Sequence, residues 1–285
     1  MTNEFTLEYS EELLSDKSVN AEQAIRSIIR TSVEVFAQTF IERHIRELED
    51  PEGTINMKVH NIFISLLGEE IQYYTSLSRS LDSSLGNMLE TMAINIAKFN
   101  FEVYNSVEGE ISINQIDFIS RILESYTRHP RKIPLIEDYQ KLRTNFNPSQ
   151  GKHTRKASDY YIIDKKTKSH FLIELKIGGD LDNKKARSEK EAILEQFAIL
   201  ANQLDKNEVI KIYFATAYNR YGEDKEWKQT RVKQYFAEEE LLIGRDFWNF
   251  ICKSKKGYYV VLDEYRKNSY LIKNSLNNIK KAYLK

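Results

Sequence analysis

The segment from Ser158 to Ile177 constrains the fold more tightly than any other part of the sequence. Tyr160-Tyr161-Ile162-Ile163 and Phe171-Leu172-Ile173-Glu174-Leu175-Lys176-Ile177 are short runs rich in β-branched and aromatic residues. The polar stretch Asp164-Lys165-Lys166-Thr167-Lys168-Ser169 joins them, a pattern that predicts a β-hairpin. Side chains alternate along a strand, so Ile173, Leu175 and Ile177 share one face, which must be core, while Glu174 and Lys176 share the other. With the turn centred between Lys166 and Thr167, Tyr161 pairs with Leu172 and Asp159 stands opposite Glu174, their Cβ atoms about 5 Å apart. Two carboxylates that close repel each other unless a cation lies between them. Lys176, about 7 Å further along the same face, reaches the edge of such a site.

This trio suits the hydrolysis of a phosphodiester. Oxygen ligands hold Mg²⁺, which polarises a phosphate and lowers the pKa of a bound water, while an ammonium positions the water and offsets charge growing on phosphorus. In a chain with 29% charged residues, the same spacing also describes a solvated hairpin carrying an ordinary surface ion pair. The context favours a working site: the pattern straddles a hairpin in facing register, runs into Gly178-Gly179 and a basic segment, and precedes a helix-strand unit.

Elsewhere the periodicity is helical. Ile25, Ile28, Ile29, Val33, Phe36, Phe40, Ile41 and Ile45 mark an amphipathic helix over 21–48, ending before Pro51. Further helices are predicted over 57–77, after Ser83-Ser84 (Leu85, Met88, Leu89, Met92, Ile96, Phe99) and over 116–126. The Ser188-x-x-Glu191 capping box is read as opening another helix after a basic loop from Gly178 to Arg187. Val209–Thr216 reads as a strand, Leu241–Trp248 as the start of a helical element, and the basic tail after Leu262 as a last helix. With ten Gly, four Pro and no repeat or low-complexity tract, the expectation is a single compact body over 1–285. Its parts would be helical 1–80, a catalytic core over 84–216 and a helical C-terminal part over 217–285. The fold class is α/β: a mixed sheet bearing the 159–177 hairpin, flanked by the Leu85 and Ser188 helices, with additional helices at both ends.

The residues Asp159 and Glu174-Leu175-Lys176 resemble the signature of the PD-(D/E)xK nuclease superfamily, with Ser158 where that superfamily often has proline. The run from Glu174 to Gln196 is similar to the TdeIII-type group of type II restriction endonucleases. The resemblance implies a restriction-endonuclease-like core in which Asp159 and Glu174 ligate Mg²⁺ and Lys176 is the catalytic lysine. It also implies a further carboxylate from a helix preceding the sheet. Glu90 is the candidate, as a third metal ligand, with Glu69 and Glu70 as competitors.

The chain carries 42 basic and 42 acidic residues, so no overall field draws it to a polyanion and any DNA-binding surface is local. Residues 152–190 hold eleven Lys/Arg against six Asp/Glu, an excess suited to a phosphate backbone. Within it, Asp182, Asn183, Lys184, Lys185 and Arg187 offer donors and acceptors for base edges. The resemblance implies double-stranded DNA as substrate, with a short G/C-containing palindrome, GGNCC if the likeness extends to specificity. A palindrome cut on both strands calls for a homodimer. No methyltransferase fingerprint is present, so protection of host DNA requires a separate cognate methyltransferase.

A lone cysteine, Cys252, excludes an internal disulfide framework and a Cys-rich zinc site. The acidic start and the absence of an apolar run near the roughly 18 residues of a membrane helix give the expectation of a cytoplasmic protein without membrane attachment. His44, His60, His129, His153 and His170 lack metal-ligand spacing, Gly151-Lys152 is no nucleotide-binding loop, and no Gly-x-Ser-x-Gly elbow occurs. Two other readings fit the trio: a repair or Holliday-junction nuclease of the same superfamily, and a non-catalytic nucleic-acid-binding module.

Overall fold

The computed structural model describes residues 4–128, 132–144 and 146–284, with the side chains of residues 4–19, 157 and 159 outside the description. Its elements are α1 (Glu4–Arg46), α2 (Ile62–Ser65), α3 (Glu69–Ala97), β1 (Phe101–Ser112), α4 (Ile113–Ser125), α5 (Glu137–Gln140), β2 (Gly151–Asp164), β3 (His170–Leu175), α6 (Asn183–Gln203), β4 (Ile210–Thr216), α7 (Thr230–Lys233), β5 (Leu241–Ile243), α8 (Arg245–Cys252) and α9 (Gly257–Tyr283). The chain divides into two compact units, one made of residues 1–96 and 259–285, the other of 97–258.

The first unit is helical. Ile25, Ile29, Val33, Phe36 and Phe40 bury one stripe of α1, as the three-and-four spacing predicts. Two guanidiniums on α1 bind carboxylates of α9: Arg26 reaches Asp263 at 2.7 Å and Arg30 reaches Glu264 at 3.1 Å. Arg43 donates to Ser80 on α3 at 2.7 Å. Two helix boundaries differ from the sequence reading. The expected 57–77 helix is broken: α2 ends at Ser65, and Gly68, with a φ of +98°, turns the chain into α3 at Glu69. The Ser83-Ser84 pair, read as a helix start, lies inside α3, where Ser84 accepts from Arg43 at 3.2 Å.

The second unit carries the sheet, mixed and five-stranded among the described residues, in the order β1-β2-β3-β4-β5. β1–β2 and β2–β3 are antiparallel, and β3–β4 and β4–β5 are parallel. The architecture is therefore α/β with a restriction-endonuclease-like core. The expected hairpin forms, and Tyr161 pairs with Leu172. Helix α6 is the crossover that two parallel neighbours require. Its Ile193, Leu194, Phe197 and Leu200 join Tyr161, Leu172, Ile212 and Phe214 in one buried cluster. On the opposite face, Phe250 of α8 packs against Phe101 and Phe171, with ring centroids 5.5 and 5.1 Å apart. Being covered on both sides, β3 is buried along its whole length.

Two strands escaped the sequence reading. β1 carries Phe101, Val103, Val107 and Ile111 at alternate positions, but Asn105 and Gly109 interrupt that row and Tyr104 stands in the polar one. β5 occupies Leu241–Ile243, where the sequence predicts the start of a helical element; the helix α8 starts only at Arg245, after Gly244.

Candidate active site

β3 delivers Glu174 and Lys176 to the α6 side of the sheet. Leu172 belongs to the cluster that α6 covers, so Glu174, two residues on, faces the same way. The regular strand stops at Leu175, but Lys176 still donates its N–H to Ala215 O at 2.9 Å, which keeps it aligned with β4. Glu174 is 8% exposed, and a carboxylate that deep needs a partner. Lys176 supplies one: its Nζ pairs with Glu174 Oε1 and lies 3.3 Å from Glu189 Oε1.

Glu189 was not singled out from the sequence. It stands on α6, and its Oε1 lies 3.3 Å from the same Lys176 Nζ that pairs with Glu174. Glu90, the upstream carboxylate expected from the sequence, lies on α3 and is half-buried. A second cross-element pair forms between Lys156 of β2 and Glu195 of α6. The usable signal was topological: a helix that follows a strand bearing candidate residues and crosses to a parallel neighbour lies over that strand, so acids on its inner side are site candidates.

The side chain of Asp159 lies outside the described residues. Its backbone is in β2, where the hairpin ladder runs from Ile163–His170 to Tyr160–Ile173 and closes one step before Asp159. On the other edge of β2 the register with β1 shifts between Tyr104–Tyr161 and Ser106–Ala157, so three residues of β2 face one of β1. Such a bulge re-aims side chains and is common beside active sites.

The segment expected to be a DNA-reading loop has a different local structure. Asp182 is the N-cap of α6, its carboxylate accepting from Lys185 N at 2.8 Å, so Asn183, Lys184, Lys185 and Arg187 form the opening turns of a helix. Leu181 and Ala186 are both buried in the core cluster, at the two positions of a hydrophobic staple. With those signals satisfied, the helix begins at Asn183, and Ser188 is already inside it. Residues 182–185 are exposed and Arg187 is half-buried.

Lys190 does not belong to any basic surface. It is wholly buried, 2.7 Å from both carboxylate oxygens of Glu240. Glu240 also accepts from Tyr139 Oη at 2.8 Å and from Ala237 N at 2.7 Å. Burial lowers the Lys190 pKa and Glu240 opposes that; burial also raises the Tyr139 pKa, reinforced by the charge of Glu240. This network fixes α6 against the segment before β5, and so fixes the neighbouring Glu189.

Carboxylate oxygens from two elements around one ammonium form a donor set suited to a hard divalent cation. Among the described residues no three His, Cys, Asp or Glu side chains converge closely enough to make a metal site by themselves. Among them, too, no helix is long and apolar enough to cross a membrane. A family model described as "Type II restriction endonuclease, HinfI" matches residues 21–269. Comparison with curated proteins and with solved structures yields no match.

Proposed function

The chain belongs to the HinfI family of type II restriction endonucleases, and from that premise we propose that it makes Mg²⁺-dependent double-strand breaks at a short DNA palindrome, with the Glu174–Lys176–Glu189 group as its hydrolytic centre. The observation that carries the reading is the Lys176 ammonium held between two carboxylates at the end of β3. An ordinary surface pair would not need a nearly buried glutamate.

Glu174 and Glu189, with Asp159 from β2, would hold the Mg²⁺, which when bound polarises a phosphate and acidifies a water ligand. The two carboxylates hold Lys176 in place, so its N–H groups can bind a non-bridging phosphate oxygen and stabilise charge as the phosphodiester breaks. The buried sheet beneath excludes water from behind the strand. The sequence GGNCC rests on the TdeIII-type likeness alone.

Cleavage of both strands of a palindrome by equivalent sites suits a homodimer, and the first unit offers a surface for it. Ile62, Phe63, Leu66 and Leu67 on and beside α2 are all strongly exposed, Phe63 at 81% and Leu66 at 78%. An apolar patch of this density marks an interaction site. Basic Lys58 precedes it and acidic Glu69 and Glu70 follow it, so two copies paired antiparallel about a twofold axis would bring opposite charges together. Host DNA would be protected by a separate methyltransferase, and both proteins would act in the cytoplasm.

Plasmid DNA incubated with the protein and Mg²⁺ tests the reading: discrete fragments are expected, and their ends reveal the recognised sequence. Asp159→Ala, Glu174→Ala and Lys176→Ala should each slow cleavage about 10²- to 10³-fold or more, with Glu189→Ala more damaging than Glu90→Ala. Cutting of branched DNA alone would replace this reading with a junction nuclease. Binding without cleavage in Mg²⁺ or Mn²⁺ would leave a non-catalytic module.

A further inference from the structure

Asp182 to Arg187 cap and open α6. Another segment lies at the same end of the sheet. β4 pairs in parallel with β3, Leu175 level with Ala215, and Ala217 N donates to Ile177 O at 3.1 Å. The chain that follows, Tyr218 to Gln229, therefore leaves the sheet directly beside the strand that carries Glu174 and Lys176, where ligands bind in open α/β sheets. The contact is close: a Cβ on Gly178 would lie 2.7 Å from the Tyr218 hydroxyl, and one on Gly179 would lie 2.7 Å from Thr216 Cγ2.

This segment is rigid yet presents polar and aromatic groups outward. Asn219 is buried and organises it, donating through Nδ2 to Lys225 O at 2.7 Å and accepting from Tyr221 N at 3.0 Å. Glu223 accepts from Asn219 N at 2.7 Å and from Arg245 N at 3.1 Å, which ties the segment to the start of α8. Between these anchors Tyr218, Arg220 and Tyr221 are exposed. The Arg220 guanidinium is held by Asp180, Nη1 to Oδ1 at 2.7 Å, and Asp180 also accepts from Gln229 at 3.1 Å. The neighbouring guanidinium keeps the Asp180 carboxyl below its usual range. A guanidinium oriented by a carboxylate, with its remaining N–H donors facing solvent, is a preorganised fork for guanine O6 and N7.

We infer that Arg220, aimed by Asp180 and framed by Tyr218 and Tyr221, is a specificity-determining residue that contacts a guanine in the major groove next to the scissile phosphate. The inference rests on the DNA-cleavage reading for its biological sense, but its test does not require cleavage. Duplexes bearing a randomised central segment are selected for binding to the wild-type protein in metal-free buffer and sequenced, and the selection is repeated with Arg220→Ala and Arg220→Lys. The wild type should yield a consensus with a guanine at one position of each half-site. Both variants should lose that guanine preference by about tenfold to a hundredfold while the rest of the consensus persists; thermal unfolding confirms that they fold. An unchanged consensus in Arg220→Ala, or no consensus from the wild type, overturns the assignment. Loss of plasmid cleavage in Lys176→Ala tests the nuclease reading separately, so either can fail alone.

Discussion

Replacing Glu240 by glutamine should destabilise the sheet-bearing unit by about 3–5 kcal/mol. The magnitude follows from the burial of Lys190, which has no exposure and loses its counter-charge in the variant. A lysine whose ordinary value is 10.5 must then stay charged and unpaired or give up its proton. The second course costs about 1.4 kcal/mol per pH unit below that value, near 5 kcal/mol at pH 7. Aromatic faces soften the first course, since Nζ lies 4.9 Å from the Tyr139 ring centroid and 4.7 Å from that of Phe236. Urea unfolding followed by tryptophan fluorescence is the assay, because Trp227 and Trp248 both report on residues 97–258. With a slope of about 2 kcal/mol per molar, the midpoint should fall by about 2 M. The pH dependence gives a sharper check. The variant's unfolded chain binds a proton that its folded form has released, so its stability rises with pH. Its deficit should therefore shrink between pH 8 and 10.5. A midpoint within about 0.5 M of the wild type would refute the account of α6 as anchored by this buried pair, and a deficit flat over that pH window would show that Lys190 stays charged and unpaired.

His170 predicts an opposite limb of the pH profile from ordinary conditions downward. Burial pushes its imidazole below the ordinary 6.5, so the neutral ring is the folded form, with its Nδ1 2.8 Å from the Tyr161 hydroxyl. That contribution is complete above pH 6.5 and is lost as pH falls below it; the melting temperature should drop from pH 7.5 to 5.5, with a shallower slope in His170→Gln, and equal slopes would contradict the assignment. For the exposed α2 patch, Phe63→Glu combined with Leu66→Glu should convert a dimer to a monomer in sedimentation velocity. Each side chain contributes about 1.5–3 kcal/mol when buried, so the dimer should weaken by at least about a hundredfold; an unchanged sedimentation coefficient would exclude this face.

The hairpin was legible because everything that sets it is local. The turn residues, the alternation on both sides and the pairing of Tyr161 with Leu172 all lie within twenty positions. The adjacency of Glu174 and Lys176 follows from the same period of two. The α1 stripe was legible for a similar reason, since one face of a helix is written at steps of three and four. Where local signals competed, the reading slipped. Ser188-x-x-Glu191 has the form of a cap, but Asp182, flanked by apolar Leu181, satisfies the orphan N–H groups of α6 earlier, and only one start can be used.

What the sequence determined alone was the presence of a catalytic-looking strand, the identity of two of its charged residues and the α/β alternation around it. The partners of those residues were decided by tertiary structure. Glu189 meets Lys176 because α6 crosses from β3 to β4 and lies over the strand. Lys190, one position along, is drawn instead into the core by Glu240, fifty residues away. Neighbouring positions on a helix point in different directions by about 100°. Which of two adjacent charges reaches a site and which is buried thus depends on the rotation at which the helix packs, a quantity set by the whole core.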